Sequence, residues 1–214
     1  MTVSLNTPEK KMPDFSLENQ HPGLVCGVDE AGRGPWAGPV TAACVLFNQE
    51  TLSPDLAQAL NDSKKLSPKK RESLIDRIKA ESIWAVGEAS VEEIDTINIL
   101  QATYLAMTRA VENLPQKPDF ILIDGNKIPP ALDIPAQAIV KGDGLSCSIA
   151  AASIIAKVTR DRQMAELAKE HPHYGWGKNA GYGVKLHQAG LARHGVSPHH
   201  RKSFKPIKKI MGIE

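Results

Sequence analysis

Two kinds of hydrophobic pattern alternate along the chain. Short apolar runs rich in β-branched residues predict β-strands at 24–30, 38–47, 82–89, 119–124 and 136–140. Longer segments, in which apolar residues recur among polar ones, predict helices within 54–81, 90–113, 146–168 and 184–194. The first two strands are expected to be antiparallel neighbours. Three strands followed by two more that lie between helices predict an α/β domain.

Local signals mark two of the helix starts. Ser67 precedes Pro68, an N-cap followed by proline at the first helical position, so the segment 54–81 is expected to hold two helices. Residues 90–93 form a Ser-Val-Glu-Glu capping box that opens the next helix. The small residues at 150–153 should let the following long helix lie close against the sheet.

Composition divides the chain into three parts. Residues 1–22 are polar and interrupted by proline, which is typical of an irregular or frayed N-terminal segment. Residues 23–172 contain all the predicted strands and are expected to form the main domain. Residues 173–214 are rich in glycine, histidine and basic residues, and we expect a small helical subdomain with a basic tail.

The sequence contains no apolar run long enough to cross a membrane, and its polar N-terminus lacks a signal-peptide core. Cys26, Cys44 and Cys147 lie in apolar stretches without a C-x-x-C spacing. This pattern favours buried thiols in a reducing compartment over disulfides or a zinc site. We therefore expect a cytoplasmic protein. The sequence leaves the oligomeric state open, and a monomer is the default expectation.

The net charge of +2 conceals an uneven distribution of charge. From Lys157 to the end, the chain has twelve Lys or Arg and four Asp or Glu, whereas the preceding part has fourteen and twenty. Six of the seven histidines also lie in the basic part. Such asymmetry indicates a polyanionic partner, although a solvated face or a solubilising tail would have the same composition.

The first predicted strand ends in two adjacent carboxylates, Asp29 and Glu30, and a glycine-rich loop follows at once. Two acids at the tip of a buried strand are costly unless a cation meets them, and a metal ion is the simplest candidate. A solvated strand end would have the same sequence. Because neighbouring strand residues point to opposite faces, the two acids can share a site only where the strand ends or bulges, which Ala31 and Gly32 permit.

Two further acids lie at or after predicted strand ends. Asp124 ends the fourth strand, and Asp143 comes just after the fifth. Loops at strand ends are where α/β proteins build their sites, so these acids can converge with Asp29 and Glu30. Carboxylates suit Mg²⁺ or Mn²⁺, and paired ions suit in-line phosphodiester cleavage. Taken singly, Asp124 is equally typical of a turn and Asp143 of a helix cap.

The loop 32–37 also fits the glycine fingerprint of dinucleotide-binding proteins. Three features argue against a dinucleotide cofactor. Acids directly before the loop would repel a pyrophosphate. Pro35 and Pro39 interrupt the place where a helix should start, and residues 40–47 predict a strand instead.

The histidines of the basic part do not have the spacing of a zinc site. We expect phosphate contacts or plain surface positions for His171, His173, His187, His194, His199 and His200. Asp161 lies between two arginines in the middle of a predicted helix. We expect it to be an ion-pair partner rather than a metal ligand.

Several motifs, in this order, resemble those of the bacterial ribonuclease HII family. They are VDEAGRGP from Val28, DSKKL from Asp62, IDGN from Ile123, KGD from Lys141 and AASIIAKVTRD from Ala151. The resemblance covers roughly residues 24–200, and its DEAGRGP run is specific. Gly181-Tyr182-Gly183 also fits, with Val184 where the family pattern has threonine.

This resemblance implies an RNase H-like fold, with a mixed sheet of three antiparallel and two parallel strands flanked by helices, and 23–172 as the catalytic domain. It implies an endonuclease, with a role in DNA replication and repair, that cleaves the RNA strand of RNA–DNA hybrids and single ribonucleotides embedded in duplex DNA. The products would carry a 5′-phosphate and a 3′-hydroxyl. The catalytic acids, holding two Mn²⁺ or Mg²⁺ ions, would be Asp29, Glu30, Asp124 and Asp143.

The resemblance also implies contacts with the sugars of the substrate. The backbone of Gly32, Arg33 and Gly34 would bind the ribose 2′-hydroxyl, the group that distinguishes RNA from DNA, with glycine providing clearance. Tyr182 would stack on the deoxyribose that follows the ribonucleotide. A turn tyrosine in a glycine-rich loop would have the same sequence context.

Phosphates would be held by Lys64 and Lys65 together with the basic C-terminal part. A solvated, charged helix start is the plainer interpretation of these two lysines. The same basic residues leave a second function open, a non-catalytic module that binds hybrid duplexes. The acids at strand ends oppose it, because a protein that only binds phosphate has no use for acids there.

Overall fold

The computed structural model describes residues 12–213. Within that range the β-strands are β1 Val25–Ala31, β2 Val40–Phe47, β3 Ser82–Ala89, β4 Phe120–Asp124 and β5 Ala136–Ile139. The α-helices are α1 Pro54–Ala59, α2 Pro68–Ala80, α3 Val91–Glu112, α4 Cys147–Glu170, α5 Trp176–Asn179, α6 Lys185–His194 and α7 Lys205–Met211. Short 3-10 helices occupy Glu18–Gln20, Gly142–Gly144 and Pro172–Tyr174.

The strands form one sheet in the order β3-β2-β1-β4-β5. β2 is antiparallel to both β1 and β3, whereas β1, β4 and β5 run parallel. The expected mixed sheet of three antiparallel and two parallel strands is therefore confirmed. Because β1 is central, the carboxyl ends of β1, β4 and β5 meet at one edge of the sheet.

Both faces of the sheet are covered, which is why its central strands are apolar almost throughout. All eight residues of β2 are buried. Side chains alternate along a strand, so Ala42 and Cys44 pack in the hydrophobic cluster shared with α3, whereas Ala43 and Val45 pack in the cluster shared with α2 and α4. The core on both faces is aliphatic and rich in alanine.

The long helix α4 lies directly against β1. A Cβ on Gly27 would overlap the backbone of Ser148 and Ile149, so glycine is what allows this close approach. The buried alanines at 150–152 continue the contact, as the small residues of this helix predict. The following turns of α4 are thereby carried past the end of β1, where the acids lie.

Three segments differ from the sequence-based expectation. Residues 54–81 are not filled by helix, because α1 ends at Ala59 and α2 begins only at Pro68, where the Ser67 hydroxyl accepts a hydrogen bond from the Lys70 N–H. The glycine-rich loop before α6 contains α5, and the basic tail contains α7. Both helices are too short to produce a recognisable hydrophobic period.

The described part of the N-terminal segment, residues 12–22, is largely irregular but is anchored rather than frayed. Glu18 is 3% exposed and accepts hydrogen bonds from the Ser146 hydroxyl and the Ser148 N–H. It thereby places a negative charge at the start of α4, where a helix favours one. Residues 1–11 lie outside the described range, and the division of the chain into three parts stays a prediction.

The cysteines are buried free thiols, as the sequence predicts. Burial raises the pKa of Cys147 to about 12, so this thiol is protonated at neutral pH. No helix in residues 12–213 has both the length and the apolar character needed to cross a membrane.

Candidate active site

The four predicted acids lie at one edge of the sheet. Asp29 and Glu30 are near the end of β1, Asp124 is the last residue of β4, and Asp143 lies in the 3-10 helix after β5. β1 and β4 pair in parallel up to the residues just before Asp29 and Asp124, so these two acids are neighbours across the strands. The expected position of the acids at strand ends is confirmed.

The strand β1 runs just past its two acids. It stays paired with β2 through Ala31 and ends there, one residue after Glu30, whereas its pairing with β4 stops at Val28. Asp29 turns back on its own strand, and its Oδ1 accepts a hydrogen bond from the Glu30 N–H at 2.7 Å. Asp29 and Glu30 still belong to one site, because both carboxylates lie within electrostatic reach of Asp124.

Burial and the repulsion of neighbouring carboxylates raise the pKa of three of these acids, Asp29, Glu30 and Asp143. Asp29 is 4% exposed, and burial, reinforced by the charges of Glu30 and Asp124, raises its pKa well above the usual value. Burial also raises the pKa of Glu30 against the opposing effect of Arg33, whose Nη1 lies 3.6 Å from Glu30 Oε1. Burial and the charge of Asp124 raise the pKa of Asp143 to about 6. A cation placed among these groups would stabilise all of their charged forms.

Asp62 is a fifth carboxylate at this site, and it is not among the acids predicted from the sequence. It hydrogen-bonds to Asp143, and its Oδ1 accepts from the Lys64 N–H at 2.8 Å. Although burial acts in the opposite direction, these contacts lower the pKa of Asp62. The signal that points to Asp62 is its position at the start of the DSKKL motif.

The two predicted phosphate-binding lysines lie beside the acids. Burial tends to lower the pKa of Lys64, but the charges of Asp29 and Asp143 outweigh it and raise the pKa. Lys65 Nζ lies 3.5 Å from Asp62 Oδ2. Both lysines are exposed, so they offer positive charge to solvent at the edge of the acidic site.

Two buried serines connect the DSKKL segment to the first acid. The hydroxyls of Ser63 and Ser153 are hydrogen-bonded at 2.8 Å, and the Ser153 hydroxyl also hydrogen-bonds to Asp29. Arg71 fixes the segment by donating from Nη1 to the main-chain oxygens of Ser63 and Leu66, each at 2.7 Å. The side chain of Asp29 is therefore oriented by α4 and by the DSKKL segment together.

The glycine-rich loop after β1 is held by two buried arginines, Arg160 of α4 and Arg201 of the C-terminal part. Arg201 donates five hydrogen bonds to the main-chain oxygens of Gly32, Arg33, Pro35, Gly38 and Pro39. Arg160 donates to those of Ala37, Pro39 and Ala180. Burial lowers the pKa of Arg201 to about 9 and that of Arg160 to about 10, so both remain charged at neutral pH.

The first glycine of this loop, Gly32, is required by the protein's own packing, whereas Gly34 only adjoins a substrate-side residue. A Cβ on Gly32 would overlap the Arg160 side chain, and the φ of +100° at Gly32 disfavours any other residue. A Cβ on Gly34 would lie 3.3 Å from Cε1 of Tyr182. Packing against Arg160 already requires glycine at position 32, so clearance for a nucleotide is not needed to explain it. A side chain there would displace Arg160 even in the protein without substrate.

Tyr182 stands at the open side of the loop, beside Gly34, and is 48% exposed. Together with Glu30, Lys64 and Lys157 it lines a groove of about 260 Å³. A larger cavity of about 420 Å³ lies on the other side of Lys157 and Tyr182. The tyrosine side chain thus forms part of the wall between two cavities.

The C-terminal basic part contributes fewer surface charges than its composition indicates. His187 and His200 are completely buried, so the expectation of phosphate contacts or surface positions is wrong for these two. Arg160 and Arg201 are buried too and cannot meet a polyanion. Asp161 pairs with Lys157 Nζ at 2.7 Å, which confirms that it is an ion-pair partner.

The donor atoms of the site fit a hard divalent cation. Carboxylate oxygens are the ligands that Mg²⁺ and Mn²⁺ prefer, and buried carboxylates that repel each other lack the positive charge that such an ion would bring. Within residues 12–213, no three His, Cys, Asp or Glu side chains are already arranged as a ligand set.

A mixed sheet in this strand order, with acids at the carboxyl ends of its central strands, defines a nuclease of the RNase H-like class. The family model for ribonuclease HII matches residues 26–207. The chain therefore belongs to the ribonuclease HII family, as its motifs indicate.

Similarity to known proteins extends over nearly the whole chain. Ribonuclease HII of Ruegeria sp. (strain TM1040) is 57% identical over 203 residues, which cover 93% of this chain and 87% of that protein. The crystal structure of ribonuclease H2 from Pyrococcus horikoshii OT3 is 27% identical with a TM-score of 0.74, and covers 88% of this chain and 97% of that one. The crystal structure of Bst-RNase HIII in complex with Mn²⁺ is 20% identical to this chain, with a TM-score of 0.71. The match covers 89% of this chain and 70% of that one, and at this identity it shows the fold alone.

Proposed function

We propose that this endoribonuclease of the RNase H type hydrolyses the RNA strand of RNA–DNA hybrids and single ribonucleotides embedded in duplex DNA, leaving a 5′-phosphate and a 3′-hydroxyl. Membership of the ribonuclease HII family supports the class of reaction. The observation that carries the proposal is the electrostatic unit formed by Asp29, Glu30, Asp124 and Asp143 beside an arginine-held glycine loop.

These four carboxylates are the ligands that we assign to the divalent cations, Mn²⁺ or Mg²⁺, with two ions per site. When bound, such ions supply an activated water and stabilise the charge that develops on the leaving oxygen. The protein fixes its own part of the arrangement in advance. Asp29 accepts from the Glu30 N–H, and Asp124 accepts from the Gly142 N–H at 2.7 Å, so one oxygen of each carboxylate is held in place.

The backbone from Gly32 to Gly34 is the part that we assign to the ribose 2′-hydroxyl. Arg201 engages the main-chain oxygens of Gly32 and Arg33. We therefore assign the contact to main-chain N–H groups, which donate to the hydroxyl oxygen. A deoxyribose lacks that oxygen, and the loop then has no partner. Exposed Lys64 and Lys65 would add affinity for phosphate that weakens with salt.

Tyr182 is the residue that we assign to the sugar after the ribonucleotide. Tyr182→Ala is expected to lower kcat/KM on a duplex with one ribonucleotide by about tenfold to a hundredfold, because an aromatic stacking contact with a nucleotide is worth roughly 1–3 kcal/mol. Tyr182→Phe keeps the ring and is expected to retain most of the activity. Initial rates on an end-labelled duplex test this, and an unchanged rate for Tyr182→Ala would count against stacking.

Binding of a divalent cation is expected to raise Tm more at about pH 7.5 than at about pH 5. In chelator the pKa values of Asp29, Glu30 and Asp143 are higher in the folded than in the unfolded state. The folded protein then holds more protons and loses stability as pH rises from about 4 through 6 and beyond. A cation, which needs the deprotonated acids, offsets this loss. Melting curves with Mn²⁺ and with chelator measure this shift in Tm at each pH. Equal shifts at both pH values would contradict the assignment of these acids as ligands.

A non-catalytic module that binds hybrid duplexes is the alternative function, and the buried acids in the groove argue against it. Incubation of an RNA–DNA hybrid with the protein and Mn²⁺, with and without chelator, separates the two: an enzyme cuts only in the absence of chelator. A dinucleotide-dependent enzyme is disfavoured because β2, not a helix, follows the loop. A monomeric state and a cytoplasmic location remain part of the proposal.

A further inference from the structure

We infer that His187 is a positioning residue for Tyr182, and that the buried pair His187–His200 thereby sets how well the protein distinguishes a single ribonucleotide from a continuous RNA strand. The inference rests on the stacking role proposed for Tyr182. Nothing in the sequence around these two histidines indicates such a role. The hydrogen bonds of the two histidines leave each ring a single arrangement of protons.

The Tyr182 main-chain oxygen fixes the tautomer of His187. This oxygen lies 3.0 Å from His187 Nδ1, and a carbonyl can only accept, so Nδ1 must carry the proton. Nε2 of His187 is then the acceptor in a neutral ring. It accepts from the Trp176 Nε1–H at 3.1 Å and lies 2.9 Å from His200 Nε2, which therefore donates to it.

The second ring is fixed in the same way from its other side. His200 Nδ1 accepts from the Ser197 N–H at 2.9 Å, so the proton of His200 sits on Nε2 and points at His187. Hydrogen bonds thus run in one direction from Ser197 through both rings to the Tyr182 oxygen. His187, His200 and Trp176 are all 0% exposed. Burial lowers the pKa of His187, and burial and His187 together lower that of His200 to about 4, which agrees with two neutral rings.

Tyr182 needs such a support because its neighbours in the chain are Gly181 and Gly183. Glycines on both sides allow the backbone a wide range of conformations. The Tyr182 N–H donates to the Asn179 main-chain oxygen at 2.9 Å, which holds the amino side of the residue. The Tyr182 oxygen accepts from the Val184 N–H at 2.8 Å as well as from His187. Val184 is the N-cap residue of α6, so both donors connect the tyrosine to this helix, but of the two only His187 continues, through His200, to the C-terminal segment.

The same C-terminal segment also holds the glycine loop. His200 forms a β-bridge with Ala37, and its neighbour Arg201 binds five main-chain oxygens of the loop. The Tyr182 ring and the loop that we assign to the ribose are thus positioned by adjacent residues. Their separation, which has to match the distance between consecutive sugars, is set by this segment.

Two substitutions of His187 separate positioning from structural support. An asparagine places a donor where Nδ1 was and keeps the bond to the Tyr182 oxygen, but it leaves the Trp176 and His200 donors without their acceptor. A glutamine places its amide near the position of Nε2, where it can accept from both, but loses the donor to Tyr182. The two variants therefore keep opposite halves of the network.

The experiment measures Tm and the ratio of kcat/KM on a duplex with one ribonucleotide to kcat/KM on a uniform RNA–DNA hybrid. His187→Gln is expected to melt closer to the wild type, yet to lose about tenfold in this ratio, equivalent to about 1.4 kcal/mol. His187→Asn is expected to melt lower but to keep the ratio within about threefold of the wild type. Rates are measured well below the Tm of each variant.

The outcomes decide between the possibilities. A ratio that follows Tm, with the asparagine variant worse than the glutamine variant, would show that the histidines only support the fold. If His187→Asn does not fold, His187→Gln decides alone, and a wild-type ratio in it overturns the inference. Tyr182→Ala is measured beside them. If the ratio of Tyr182→Ala equals that of the wild type, the stacking proposal itself fails. If the ratio falls in Tyr182→Ala but not in His187→Gln, stacking holds and only the positioning role of His187 fails.

Discussion

Asp124→Asn is expected to reduce cleavage by about a thousandfold or more while leaving the fold intact. Coordination of a divalent cation supplies several kcal/mol of transition-state stabilisation, and each 1.36 kcal/mol is about a factor of ten in rate. An amide is a poor substitute for the charged ligand. Its oxygen can still accept the hydrogen bond from the Gly142 N–H, so the local structure is retained. Asp29→Asn is expected to behave in the same way, because its oxygen can still accept from the Glu30 N–H.

The stability of these variants should change in the opposite direction from their activity. Asp29 is buried beside Glu30 and Asp124, and each charge raises the free energy of the others. Removing one charge is therefore expected to raise Tm in chelator and to leave duplex binding largely intact, since repulsion of the phosphate is reduced. A variant that lost activity because it unfolded would show a lower Tm instead.

Asp55→Asn is the matched control for the loss of a carboxylate. Asp55 lies on α1, is exposed, and pairs with Arg77 Nη2 at 2.9 Å, away from the sheet edge that carries the acids. The Asp55→Asn variant is expected to cleave at the wild-type rate. Near-normal cleavage by both Asp29→Asn and Asp124→Asn in the presence of Mg²⁺ would refute the assignment of the site.

Arg201→Lys is expected to lower both stability and activity, although it keeps the charge. Arg201 is 0% exposed and satisfies five main-chain oxygens with five N–H groups. An ammonium has three donors, so at least two buried oxygens lose a charged partner, at a cost of about 1.5–3 kcal/mol each. For a chain of this size that lowers Tm by roughly 6–12 °C or more. A shift of the loop by about 1 Å would lower kcat about a hundredfold.

Arg193→Lys is the same substitution at an exposed position of α6. It is expected to leave Tm and kcat/KM at wild-type values, because no buried oxygen depends on the guanidinium. If the two variants behaved alike, the role of Arg201 in holding the loop would have to be abandoned.

The strands, and the acids at their carboxyl ends, could be predicted from the sequence because each depends on a local pattern, whereas the mixed sheet was implied by the family resemblance. The apolar runs of β1, β2 and β4 are continuous, since helices cover both faces, and Asp124 directly follows such a run. The capping box at Ser90 forms as predicted, with the Glu93 carboxylate accepting from the Ser90 N–H at 2.9 Å. Signals of this kind span only a few residues, so they can be recognised without knowledge of the tertiary structure.

The supports of the site could not be predicted, because their partners are main-chain atoms far away in the chain. Arg201 and Arg160 donate hydrogen bonds to main-chain carbonyl oxygens of the loop. Every residue has such an oxygen, so no sequence pattern indicates which one will be the partner. His187 is hidden for the same reason, since it binds the Tyr182 oxygen and a second buried histidine. Charged and titratable residues are usually exposed, so composition alone assigned these side chains to the surface.

The most direct test of the central claim is the mapping of cut sites on an end-labelled DNA duplex that holds one ribonucleotide. The carboxylates grouped around Asp124, next to the loop that we assign to the ribose 2′-hydroxyl, predict a single cut at the ribonucleotide, with a 5′-phosphate and a 3′-hydroxyl. This cut should require Mn²⁺ or Mg²⁺ and be lost in Asp124→Asn. Cuts scattered along the DNA, cutting that persists in chelator, or an Asp124→Asn variant as active as the wild type would contradict it.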